Sequence, residues 1–167
     1  MAKDDRRRMS SSATKRESSY PRRVIGIDPD ADRHGVAVYD DGRLQELLMA
    51  SLSEVLSLVE SSPCLVSIEN VMANQFVYSR NNKGSRANVS KIAMSIGRCQ
   101  QAQVELCRQL EQREIPMVLH RPQSGNWAKK KELFERLTGW SARSNEDTRA
   151  AAFFGWLSLA PKRSRTA

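Results

Sequence analysis

The spacing of apolar positions divides this chain into strands and helices. Val24-Ile25-Gly26-Ile27 is a continuous apolar run closed by Asp28. A short run rich in β-branched residues reads as a buried strand. Val36-Ala37-Val38-Tyr39 repeats the pattern, and Asp40-Asp41-Gly42 behind it is a hairpin-turn signal. Residues 44–50 read as a third strand. Residues 53–60 place Val55, Leu56, Leu58 and Val59 at helical spacing, with Ser53 or Ser51 to cap them and Pro63 to end them. Residues 64–69 are apolar but for Ser67 and the closing Glu69, which predicts a central strand.

Residues 73–85 carry Asn74, Asn81, Asn82 and Gly84, and a mobile loop is expected there. Across 88–114, Ile92, Ile96, Cys99, Gln103, Leu106 and Leu110 recur on one face of a long helix. Gly97 inside it costs about 1 kcal/mol against alanine, which predicts close packing at that point. Pro116 ends the helix. Residues 117–119 form a fifth strand, 127–138 a helix closed by Gly139, and 144–159 the last helix. Hairpin strands, helix, strand, long helix, strand and helices imply an α/β class: a mixed five-stranded sheet flanked by helices.

Charge refines this outline. The 167 residues carry a formal charge of +8. Residues 1–23 contribute +5 and 160–167 contribute +3, so the body between them is neutral. Residues 1–22 are polar, basic and Ser-rich, and are expected to be a disordered tail: a non-specific nucleic-acid arm or a solubilising segment. Residues 160–167 form a second basic tail, leaving 23–159 as the folded domain. Within that body, 24–69 sum to −7 and 70–143 to +8. An acidic cluster beside a basic surface suits a divalent metal and a polyanion; segregated surface charge is the plainer alternative.

Cys64, Cys99 and Cys107 are odd in number and form no Cys-x-x-Cys. Neither a zinc site nor a disulfide framework is expected, and a reducing compartment, cytoplasmic or nucleoid-associated, is the simplest setting. No run reaches membrane-spanning length, so no membrane partner is expected. The Arg- and Ser-rich start leaves an organellar address open, although Asp4, Asp5 and Glu17 count against it.

Three acids stand where acids are costly. Asp28 ends an apolar strand; it either bonds the turn before Pro29 or serves a site. Glu69 ends another and shares its strand face with Ser67. Asp147 opens the last helix, where Ser144-x-x-Asp147 also reads as a helix cap. Asp147, Ala150, Ala151 and Phe154 nevertheless share one face, while Glu146 lies about 100° away. Three acids converging from remote positions would suit a shared metal.

These segments resemble a known family. Val24-Ile-Gly-Ile-Asp28-Pro with Gly35-Val-Ala-Val38, Ser67-Ile-Glu69-Asn-Val71, and Asp147-x-x-Ala150-Ala-Ala152 are similar to the three acid motifs of RuvC-type Holliday-junction resolvases, in the RNase H-like nuclease superfamily. The likeness spans roughly 23–158, and Ile96-Gly97-Arg98, a strand, a proline and a Lys-rich segment follow in the family's order. It implies an RNase H-like fold and a homodimer that cuts four-way DNA junctions by paired phosphodiester hydrolysis. It also implies Mg²⁺ or Mn²⁺, two per site, on Asp28, Glu69 and Asp147. Two positions depart from the family pattern: Asp30 replaces a usual glycine, and Ser144 replaces a fourth acid. Glu146 or Ser144 would then complete the metal set. A non-catalytic junction-binding protein and a related nuclease acting on RNA or flaps are the rival readings.

Arg80, Lys83, Arg86 and Lys91 lie on and after the expected loop. Lys129, Lys130 and Lys131 stand at an expected helix start, where positive charge opposes the dipole. All seven are candidate phosphate contacts. Met72, Phe76 and Tyr78 are candidate wedges against junction bases; packing of the loop or a dimer contact is the alternative for the two aromatics.

Overall fold

A computed structural model describes residues 21–73 and 85–159. The strands are β1 (Arg23–Asp28), β2 (His34–Asp40), β3 (Arg43–Ala50), β4 (Leu65–Glu69) and β5 (Met117–His120). The helices are α1 (Leu52–Glu60), α2 (Arg86–Gln112), α3 (Lys131–Thr138) and α4 (Glu146–Leu157). The strands form one sheet in the order β3-β2-β1-β4-β5. β1, β2 and β3 run antiparallel, while β4 and β5 join β1 in parallel.

The hairpin turn forms at Asp41 and Gly42, both at positive φ (48° and 76°). That backbone matches the right-handed twist of the flanking strands, which is why Asp-Gly serves there. β4 is an interior strand, but β1 holds the middle of the sheet. The strand period sorts side chains onto two faces. Ile25, Ile27, Val36, Val38, Val66 and Ile68 pack with Val55, Val59, Leu106 and Leu110 of α1 and α2. Val24, Ala37 and Tyr39 pack on the other face with Phe134 of α3 and with Ala151, Phe153 and Phe154 of α4.

Polar groups on the second face hold α4 down. Tyr39 donates its hydroxyl to the Ala152 carbonyl at 2.7 Å, and Ser67 donates to the Phe154 carbonyl at 2.6 Å. Each satisfies a group whose burial alone would be costly. Gly26 permits the closest approach: a Cβ there would overlap the Ala151 carbonyl and lie 2.9 Å from the Gly155 Cα.

Three local expectations change. Trp127 to Lys130 form a turn, and the helix begins at Lys131. Trp127 is buried by ring contacts with Phe134, Phe153 and Trp156, not by a place on a helical face. Gly139 does close α3, at φ 73°. The cap of α4 is Asn145, whose side chain accepts from the Thr148 N–H while its own N–H donates to the Thr148 hydroxyl oxygen, so the helix starts two residues later than read from Ser144. Ser51, with Glu54, caps α1. Finally, nothing lies within 4 Å of a Cβ built on Gly97. The first half of α2 therefore stands clear of the described residues at that point, with Met94 69% exposed.

Candidate carboxylate site and its basic flank

β1 and β4 are paired in register, Ile27 opposite Ile68, so the residues that follow, Asp28 and Glu69, end side by side. Adjacent strands are about 4.8 Å apart. Alternation from Gly26 and Ser67 puts both carboxyls on the face covered by α4. Asp28 also pairs with Gly35 of β2. A Cβ at Gly35 would overlap the Asp147 carbonyl and fall 3.0 Å from the Asp147 Cβ. Glycine at this one position lets the start of α4 settle beside Asp28.

The two carboxyls lie within hydrogen-bonding reach of each other, and both are raised above their usual range. Burial is the first cause for each. For Asp28 the charge and hydrogen bond of Glu69 follow, then the charges of Asp147 and Asp30, which together push it up to about 9. Asp147 is raised by burial, then by Asp30 and Glu146, and is held back by Arg149. Two half-buried carboxyls this close resist ionising together without a cation, which favours one keeping its proton. Hard oxygen donors starved of positive charge fit a divalent cation in place of that proton.

The three acids are not equally close. Asp28 and Glu69 are in contact, while Asp147 acts on Asp28 through its charge. Among the described residues, no three His, Cys, Asp or Glu side chains stand together as a ready metal cage. Mg²⁺ commonly takes only one or two carboxylates and completes its shell with water and substrate phosphate. The Asp28–Glu69 pair fits that requirement. Of the other candidate ligands, Glu146 is exposed and Ser144 accepts a hydrogen bond from Arg149 at 3.1 Å.

Arg86 and Lys91 are exposed on the first turns of α2. Lys129 and Lys130 are exposed just before α3, and Lys131 is its first residue. Met72 is 44% exposed on a single 3₁₀ turn (Val71–Ala73) directly after the Glu69 strand end. Its N–H donates to Gln103 Oε1 at 3.3 Å. Arg80, Lys83, Phe76 and Tyr78 lie outside the described residues, as do both basic tails apart from Pro21 and Arg22.

Two features of this face escaped sequence reasoning. His120 is the register partner of Glu69 across β4 and β5. Its Nε2 lies 2.9 Å from Ser67 Oγ and 3.0 Å from Ser158 Oγ. The Ser67 proton is committed to the Phe154 carbonyl. Nε2 must then carry the ring proton to satisfy Ser67, and burial lowers the pKa of His120. Arg149, the second, bonds the Ala128 carbonyl. Its sequence signal was a lone cation ahead of the apolar run Ala150–Phe154. Asp30, which stands where the resembled family has glycine, accepts from the Cys99 thiol at 3.3 Å and from the Ala31 N–H at 2.6 Å.

The sheet order and the helices on its two faces define a mixed α/β fold of the RNase H-like type. No protein-family model and no curated protein matches the chain. Solved structures do. One is T. thermophilus RuvC in complex with Holliday junction substrate, at 19% identity over 80% of this chain and 90% of that chain, with a TM-score of 0.50. Another is a Thermus thermophilus RuvC structure, at 18% identity over 80% of this chain and 91% of that chain, with a TM-score of 0.49. At this identity the first match speaks for the fold.

Proposed function

We propose that this chain is a metal-dependent, structure-selective endodeoxyribonuclease that acts as a homodimer and resolves four-way DNA junctions by paired phosphodiester hydrolysis. The observation that carries the reading is the half-buried Asp28–Glu69 pair at adjacent strand ends, with Asp147 brought to its side over Gly35. The RuvC-like fold and the exposed lysines beside α4 support it. In this reading residues 23–159 are the nuclease domain, flanked by two basic tails.

A divalent cation held by Asp28 and Glu69 would supply Lewis acidity at the phosphodiester. Asp28 and Glu69 hold that charge on two paired strands, whose backbone cannot yield as a loop would. Asp147 approaches from the N-terminal turn of α4. It gives a third carboxylate once side-chain rotation, or the phosphate itself, closes the site. Arg86, Lys91 and Lys129–Lys131 grip the sugar-phosphate backbone. Arg80 and Lys83 are proposed as further phosphate contacts, and Met72, Phe76 and Tyr78 as wedges at the branch point.

The test is nicking of a synthetic four-way junction in Mg²⁺ and in Mn²⁺, by the native chain and by Asp28→Asn. Paired nicks by the native chain, absent in the variant while junction binding persists, support the reading. Binding without nicking by the native chain favours a non-catalytic junction-binding protein. That reading draws on Ser144 in place of an acid and on the looser position of Asp147. Faster cutting of RNA or flaps would redirect the reading to a sister nuclease.

A further inference from the structure

Arg149 is a charged residue just ahead of the apolar run Ala150–Phe154 of α4, and it is 8% exposed. Its Nε and Nη2 both donate to the Ala128 carbonyl, at 2.9 and 2.6 Å. Its Nη1 donates to Ser144 Oγ at 3.1 Å. Among the described residues no carboxylate stands within ion-pair distance of it. A buried cation on neutral oxygens alone is a poor source of stability, and an apolar side chain would pack there at less cost. The gain is geometric: a planar fork holds one carbonyl with two converging bonds and reaches a second oxygen with its free arm.

The carbonyl it holds lies in a telling place. Trp127, just before Ala128, is buried against Phe134, Phe153 and Trp156 with ring centroids 5.9, 5.4 and 5.5 Å away. Just after Ala128 come the exposed Lys129, Lys130 and Lys131. The tryptophan fixes the depth of the turn, and the arginine fixes its backbone. On α4 itself, Arg149 is two residues from Asp147 and bonds Ser144, which stands just before the helix cap.

We infer that Arg149 is a positioning residue. Its guanidinium locks the Trp127–Lys130 turn onto the start of α4, so that lysines gripping a phosphodiester backbone and the Asp147 carboxyl move as one body. Phosphate contact by the lysines is thereby coupled to the placement of the scissile bond over the carboxyls. The inference rests on the nuclease reading for its DNA, but not for its anchoring.

Two measurements on the full chain separate these. The first is amide hydrogen exchange without DNA. Arg149→Lys keeps the charge and loses the fork, so exchange at residues 126–131 should quicken about tenfold or more while β1 and β4 stay protected. Unchanged exchange in that turn overturns the anchoring whatever DNA does. The second is binding of a synthetic four-way junction over a salt series without divalent cation. Arg149→Lys should weaken binding about 5–20-fold and flatten the log–log salt slope by about 1–2, each lost phosphate contact being worth about 0.9. In a Lys129→Ala/Lys130→Ala background it should add nothing further. Additive losses, or an unchanged slope, overturn the coupling. Quickened exchange in a chain that binds no DNA would sink the nuclease reading and leave the anchor standing. Should Arg149→Lys fail to fold, Ser144→Ala removes one of the three bonds and carries both measurements in milder form.

Discussion

Replacing Asp28 by asparagine should make the metal-free protein more stable. The Asp28 carboxyl has an ordinary value of 3.8 and is pushed up to about 9, first by burial and then by Glu69. At pH 7 the unfolded chain has released this proton, and the folded chain must keep it. The gap between 3.8 and neutral pH sets a ceiling of about 4 kcal/mol on the resulting loss of stability. Relaxation and water around the site reduce that to roughly 1–3 kcal/mol. Asparagine keeps a donor for Glu69 and carries no charge to bury. In EDTA at pH 7 the melting temperature of Asp28→Asn should therefore rise by roughly 3–10 °C, at about 2–4 °C per kcal/mol for a chain of this size.

The sign follows from linkage. A raised carboxyl contributes its full stability below the unfolded value, and that contribution is lost as pH climbs through the folded one. The gap between variant and native chain should close near pH 4, open as pH rises, and level off above about 9. Added Mg²⁺ or Mn²⁺ should then raise the native chain and spare the variant, since only the native pair gains from ligand binding to the folded state. Thermal melts across pH, with and without metal, measure all of this. A variant less stable than the native chain in EDTA at neutral pH, or a gap that persists at pH 4, would refute the reasoning.

Further outcomes follow from the same geometry. Gly35→Ala forces a methyl into the Asp147 carbonyl and should cost about 1–3 kcal/mol in urea denaturation while weakening Mn²⁺ binding; unchanged stability would mean that α4 is not seated there. Asn145→Ala should cost about 1 kcal/mol as a lost helix cap, and Ser144→Ala clearly less; the reverse order would restore Ser144 as the cap. Ser67→Ala strands the Phe154 carbonyl and should cost about 1–3 kcal/mol by the same denaturation assay; a neutral result would mean that the Ser67–Ser158–His120 cluster does not hold α4.

The positions of Asp28 and Glu69 were legible because strand alternation has a period of two, and their closing acids had nowhere else to go. The start of α4 was ambiguous for a physical reason. Ser144-x-x-Asp147 and Asn145-x-x-Thr148 both satisfy a capping box, and the choice turns on Arg149, which draws the Ser144 hydroxyl to itself. Trp127 misled for a related reason: its ring packs on α3 and α4 and is buried although its own backbone is not helical. His120 left no local trace at all, because its partners Ser67 and Ser158 stand 53 and 38 residues away. Gly97 shows the limit of propensity, which registers a missing side chain but not whether anything lies opposite.

The contact of Gly26 with Ala151 and Gly155 bears on how the protein tolerates change. No side chain intervenes between β1 and α4 there, so main chain rests directly on main chain. Repacking elsewhere in the two apolar layers can loosen or tighten the whole without altering that seat. The height of Asp147 above the strand ends is thus insulated from drift in the core, and variants selected only for durability should leave the spacing of the acids alone.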